Sequence, residues 1–258
     1  MGYWQDRMAA AQNKLTNKNV KQVEKQLKKY YTTAMNQVIA DFEAVYAKIE
    51  LQRAQGKEVT PADLYKLDKY WQMQGQLQAT LERLGNRQAR ILGEAFVANY
   101  FDIYYSINLP GLQAYSTIDR AGVSQMVNQI WVADGKSWGQ RIWDNTKRLA
   151  ETLNEELISC VVSGKKTSEL KKKLQERFGV SYSAADSLAR TEMAHIQTQA
   201  AKKRYQDYGV EQVEIWADAD ERRCEVCGEL HQKKYPVGAA VPIPAHPRCR
   251  CCIVPVVD

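Results

Sequence analysis

The chain has 258 residues, of which 45% are hydrophobic and 26% charged, with a formal net charge of +6 and a pI near 8.9. That composition is ordinary for a globular protein, and the length suffices for a core that needs no cysteine staples. The charge leans mildly towards anionic partners, less than a dedicated DNA-binding domain usually does. The opening MGYWQDRMAAAQNKL has no basic segment followed by an apolar run, and no stretch of 18 apolar residues occurs. A secretory signal and a membrane span are therefore not expected, and the expected setting is a reducing cytoplasm.

The spacing predicts one long amphipathic helix over 18–55, because Val20, Val23, Leu27, Tyr31, Ala34, Val38, Phe42, Val45 and Ile49 recur at steps of three and four. Such a rod would be about 55 Å long. Gly56 ends it, and Thr60-Pro61-Ala62-Asp63 is a start signal for the next helix. The pattern stays helical over 61–107, with an expected break at Gly85-Asn86. Ile91 to Ile107 holds Phe96, Val97, Tyr100, Phe101, Ile103 and Tyr104 and reads as the centre of the helical core. Pro110-Gly111 interrupts the pattern. Helices are expected at about 119–131, 136–163 and 167–178. A further helix is expected to start at the capping-box-like Ser183-Ala184-Ala185-Asp186 and to end at Gly209. After that, Val210, Val213, Ile215 and Trp216 suggest a strand, and Ile253 to Val257 a terminal edge strand. The fold class is thus mainly α: an elongated helical region over 1–150, then a domain over 151–258 that ends in a small α+β module from about 210.

Five of the six cysteines and two of the three histidines lie between Cys224 and Cys252. Cys224-x2-Cys227 is followed eighteen residues later by His246-x2-Cys249, which supplies four N/S ligands for a tetrahedral zinc ion. The two-residue spacer lets a tight turn aim both side chains at one ion. Cys249 is the first choice for the fourth ligand and Cys251 the runner-up, while Cys252 reads as a packed thiol. Disulfides are disfavoured without export, and a thioredoxin-like site lacks its β-α-β setting. Four protein ligands close the metal shell, so the zinc is expected to be structural, and no catalytic residue is assigned. His231 is the one spare histidine near it and reads as solvated surface. Glu192 and His195 form a single E-x-x-H pair, which lacks the partners that a di-metal site needs. Arg190, Glu192 and His195 are expected to make polar contacts with neighbouring helices instead.

Basic residues cluster three times: Arg7 to Lys29; Lys165, Lys166, Lys171, Lys172, Lys173 and Arg177; and Arg222, Arg223, Lys233, Lys234, Arg248 and Arg250. Each alone reads as a solvated face; together they point to non-specific contact with double-stranded DNA through phosphates.

From about residue 150 onwards the chain resembles the phage head-morphogenesis family, the Mu F-like minor capsid proteins. The resemblance rests on Ala189-Arg190-Thr191-Glu192, Tyr208-Gly209-Val210 and Val213-Glu214-Ile215-Trp216. It continues through Asp220, Arg223, Cys224-x2-Cys227, Gly228-Glu229-Leu230 and Tyr235 to His246-Pro247-Arg248-Cys249-Arg250-Cys251. Where the family usually has threonine between an arginine and the first cysteine, this chain has Arg222-Arg223-Cys224. The helical N-terminal half, with its early Tyr3-Trp4, looks loosely like minor head proteins of phages of Gram-positive bacteria. The resemblance implies a low-copy, non-enzymatic head protein of the virion, made in the host cytoplasm and carried inside the capsid at the portal vertex. Its implied partners are the portal protein, scaffold and major capsid protein, and its implied roles are head assembly, DNA packaging or delivery. A zinc-dependent nuclease or toxin-like effector and a free-standing zinc-ribbon nucleic-acid binder are the alternatives.

Overall fold

A computed structural model describes residues 3–109, 117–217 and 223–256, with Tyr3 described in its backbone alone. The Pro110-Gly111 break, Asp220, Arg222 and Val257 lie outside the described residues. Seven helices are seen among those residues: α1 (Tyr3–Ala54), α2 (Pro61–Tyr65), α3 (Asp68–Ser106), α4 (Arg120–Val127), α5 (Trp138–Val162), α6 (Thr167–Asp207) and α7 (Glu225–Leu230). Strands β1 (Gln212–Trp216), β2 (Lys234–Pro236) and β3 (Cys252–Pro255) form an antiparallel sheet in the order β2-β1-β3. Val213 pairs with Tyr235 on one side of β1, and Ile215 with Ile253 on the other. The protein is mainly helical with a small C-terminal strand region, and β3 lies at an edge of the sheet. No helix among the described residues is long and apolar enough to cross a membrane.

The chain forms two compact units that interleave in sequence. One comprises Met1–Glu24, Ile91–Trp138 and Ser187–Asp258; the other comprises Lys25–Arg90 and Gly139–Asp186. Helices α1, α3 and α6 each contribute a stretch to both.

All nine residues of the stripe from Val20 to Ile49 are buried. The helix begins fifteen residues earlier than its apolar period indicates, because its buried face there is polar. Gln12, Thr16 and Asn19 take the inward positions after Ala9. Gln12 donates to the Tyr205 hydroxyl (3.0 Å) and to the Ile253 carbonyl (3.1 Å), and Asn19 donates to Asn99 and Asp102. A hydrophobic period cannot register positions whose burial is supported by hydrogen bonds to distant residues. Gly56, at φ +77, ends α1, a backbone state that glycine adopts without a steric penalty. At the start of α2 the Asp63 carboxylate accepts from the Thr60 hydroxyl and backbone N–H, which pulls its pKa down to about 2.

Two expected helix boundaries are absent. Helix α3 runs through Gly85-Asn86 without a break. A Cβ at Gly85 would lie 2.7 Å from the Trp143 ring, so this glycine admits the indole of α5 rather than ending a helix. The segments 167–178 and 183–207 are one helix, and Ser183 to Asp186 start nothing. The buried positions Leu170, Leu174, Phe178, Ser181, Ala185 and Ala189 keep helical steps across Gly179. That continuous buried stripe outweighs the roughly 1 kcal/mol that one interior glycine costs. At the other end, Gly209 takes φ +73, and the N–H of Val210 bonds to the Tyr205 carbonyl at 3.0 Å. That contact closes α6 as the sequence predicts. Helix α4 is shorter than expected: it starts at the Asp119 cap and ends before Asn128.

In the unit built on Lys25–Arg90 and Gly139–Asp186, the Tyr31 hydroxyl lies against Gln88 and Ser181 and accepts from Asn145; burial pushes its pKa up to about 12. The second basic cluster is partly neutralised here. Glu156 of α5 accepts from Lys173 and Arg177, and Lys171 lies 3.8 Å from Glu43. Burial opposes the charge on Glu156, but its hydrogen bonds to the two cations prevail and hold its pKa below 4.5. A depressed carboxylate pKa contributes stability above the unfolded value, which is lost as pH falls through the folded one. Glu156→Gln is therefore expected to cost about 1–2 kcal/mol at neutral pH and to flatten the loss of stability below the ordinary carboxylate range. Urea melts of both proteins across acidic pH check this; parallel curves would contradict it.

In the other unit, Phe96 is fully buried and meets Trp138 edge-on at 5.4 Å. Asn99 accepts from Asn19 and donates to the Met193 carbonyl. The sheet closes on α1: Trp216 and Cys252 pack with Ala9 and Val254, and the indole N–H of Trp216 donates to Asp6 at 3.0 Å.

Candidate metal centre

Both two-residue knuckles are tight turns. Cys224 caps the N-terminus of α7 in an extended conformation, and its sulfur accepts the Cys227 N–H at 3.4 Å. The N–H of Cys249 bonds back to the His246 carbonyl at 3.1 Å, with Arg248 at φ +63. Each turn thus presents both of its side chains on one side.

Two overlapping groups of ligand atoms result: Cys224, Cys227 and His246; and Cys227, Cys249 and Cys251. The His246 Nε2 lies 3.3 Å from the Cys224 sulfur and 3.1 Å from that of Cys227; the Cys227 and Cys249 sulfurs are 3.8 Å apart. Around a tetrahedral ion with Zn–S bonds of ~2.3 Å, neighbouring sulfurs stand about 3.8 Å apart. His246 Nδ1 lies 2.8 Å from the Pro247 carbonyl, which can only accept. In the neutral ring Nδ1 therefore carries the proton, and Nε2 faces the thiols with its lone pair, as a ligand must. Burial pushes the Cys227 thiol up to about 12. Cys249 is pulled down to about 5, first because Cys251 donates to it, and Cys251 is raised by the same contact. Imidazole and thiols of this kind could hold a metal ion, and they suit a borderline-soft one.

Cys252 stands apart. It is fully buried in the sheet core with its sulfur directed to the Trp216 carbonyl. His231 is not solvated surface, as its sequence context suggests, but half-buried: its ring meets Trp216 at 4.7 Å and its Nδ1 accepts the Ala217 N–H at 3.3 Å. Burial, then the charge of Arg223, lowers its pKa.

The Ala189-Arg190-Thr191-Glu192 stretch makes polar contacts, as expected, including one that sequence reasoning missed. Arg190 pairs with Glu24. Glu192 accepts from the Trp131 indole at 2.9 Å, and His195 stacks on that indole at 4.2 Å, with burial pulling its pKa down to about 4. Thr191 is the unforeseen member. Its hydroxyl accepts the N–H of Arg248 at 3.0 Å while donating to the Ser187 carbonyl, and so ties the second knuckle to α6. The one signal for it is that both motifs recur in a single family pattern.

That pattern has an independent counterpart. A family model described as phage Mu protein F like protein matches residues 151–254. Over these residues the chain is similar to the phage Mu protein F like family. The matched region contains α6, β1, β2, most of β3, Thr191 and all five candidate ligands, and the match supports a phage head-morphogenesis protein. No curated protein and no solved structure matches the chain.

Proposed function

We propose that the protein is a minor capsid protein of a tailed phage or prophage. It associates with the portal vertex, enters the assembling head and acts in assembly, packaging or delivery of the DNA. The family match over 151–254 carries this reading. Zinc is the ion that the centre holds, through Cys224, Cys227, His246 and Cys249, with Cys251 donating to the Cys249 sulfur; the alternative fourth ligand is Cys251 itself. Such a shell leaves no position for a reactive water, so the metal secures a fold and the protein is not an enzyme. The base that a nuclease would need is missing from the reading too, since His231 already uses one ring nitrogen on the backbone. Contact with double-stranded DNA is sequence-independent and weak, roughly micromolar or poorer at physiological salt.

Tagged protein recovered from infected cells is expected to bring down the portal protein, with scaffold and major capsid protein in smaller amounts. Recovery of none of these from cells that are assembling heads would overturn the reading. Purified protein is expected to leave plasmid DNA intact with zinc, magnesium or manganese; cleavage abolished by His231→Ala would instead favour the nuclease-like alternative.

A further inference from the structure

Beside the second knuckle lies a cleft of about 420 Å³, walled by α1, α6 and the loop after His246. Three arginines line it: Arg190 from α6, which also pairs with Glu24, and Arg248 and Arg250 from the loop; no carboxylate is among its lining residues. We propose that this cleft binds a phosphate group, either of a free phosphate or nucleotide or of a nucleic-acid backbone.

Three observations carry it. Like charges converge from two separate segments, closely enough that Arg248 adds to burial in lowering the pKa of Arg190. A phosphate accepts hydrogen bonds from three directions, whereas one bidentate guanidinium satisfies a carboxylate, so three arginines fit the former better. Arg248 is also fixed in position. It occupies the left-handed region at φ +63, which is unfavourable for a residue with a side chain, and its N–H is held by Thr191. Finally, Thr16 lines the cleft at 7% exposure, and its hydroxyl has no hydrogen-bond partner among the described residues. A buried hydroxyl without a partner is costly, and a small shift of the cleft wall would open it to a ligand oxygen. The volume exceeds that of one phosphate group and falls within the usual range for small-ligand sites, which leaves room for a nucleoside.

The test is calorimetric titration of the full-length protein, its zinc content measured, with inorganic phosphate, a nucleoside monophosphate and a short DNA duplex, each against sodium chloride of matched ionic strength. Saturable phosphate binding at one site per chain is expected, weakened about tenfold or more by Arg248→Gln and severalfold by Thr16→Val. Zinc content and helical circular dichroism of both variants should match the parent, which separates lost binding from lost fold. Displacement of phosphate by the duplex would identify a backbone phosphate as the ligand; nucleotide binding without duplex competition would identify a free one. No saturable phosphate binding, or a folded Arg248→Gln protein that binds like the parent, would overturn the proposal. Either of those results with the portal protein still captured would leave the head-protein reading intact.

Discussion

Replacing Cys224 or Cys227 with serine is expected to reduce bound zinc from one per chain to none and to unravel residues 223–250, α7 included, while α1 to α6 and the β1–β3 pair persist. Apparent binding energies of structural zinc reach ~10–16 kcal/mol at neutral pH, far more than six-residue α7 and three-residue β2 can supply. From the sequence alone, loss of everything after residue 210 is the natural expectation. The structure narrows it. Cys252, Ile253 and Val254 are fully buried, and the Ile253 carbonyl accepts from both Gln12 and Tyr205. Strand β3 is thus held by α1 and α6 without help from the metal. Elemental analysis under reducing conditions, with hydrogen exchange read at α7 and at β1, checks both halves. Zinc-free parent protein, or a serine variant that keeps stoichiometric zinc, would refute the centre. Single serine variants at Cys249 and Cys251 decide the fourth ligand; loss of zinc is expected from the first and retention from the second.

Phe96→Ala should destabilise the protein by about 3–5 kcal/mol, the range for a fully buried phenylalanine with limited room to collapse. Its edge-on contact with Trp138 adds specificity to the loss. Phe101→Ala, five residues along the same helix, should cost about 1 kcal/mol or less, since Phe101 is only half-buried and stacks on the exposed Tyr105. Urea melts of the two variants measure the contrast. Equal losses would mean that both rings belong to the core, as the apolar run from Ile91 to Ile107 suggests when read without its geometry.

How far the sequence reaches depends on whether the physics is local. The stripe from Val20 to Ile49, the stop at Gly56, the carboxylate cap on Thr60 and the exit at Gly209 are each decided within a few residues. Apolar period, φ preference and a short side chain beside a backbone N–H suffice for them, and all four are legible in the chain. The candidate metal residues are legible for a similar reason: two-residue spacers make tight turns, and clustered thiols in a reducing setting point to a metal.

Other features depend on partners far away in the chain. Nothing near Gly85 tells that an indole from residue 143 needs its space, so a packing glycine reads as a break. Ser183 to Asp186 carry the chemistry of a helix start, but the buried stripe running from Leu170 to Ala189 holds the segment inside α6. The first turns of α1 bury amides that pass for solvent-facing until Tyr205, Ile253 and Asn99 are placed beside them. Lys173 and Arg177 count as free positive charge in the sequence and are bound to Glu156 in the fold. Thr191 looks like an ordinary helical threonine until Arg248 arrives from 57 residues away. Local propensity and spacing determine which elements form and which ligands gather; tertiary structure alone decides which polar groups are buried, since most such burials rest on a partner that the chain supplies only after folding.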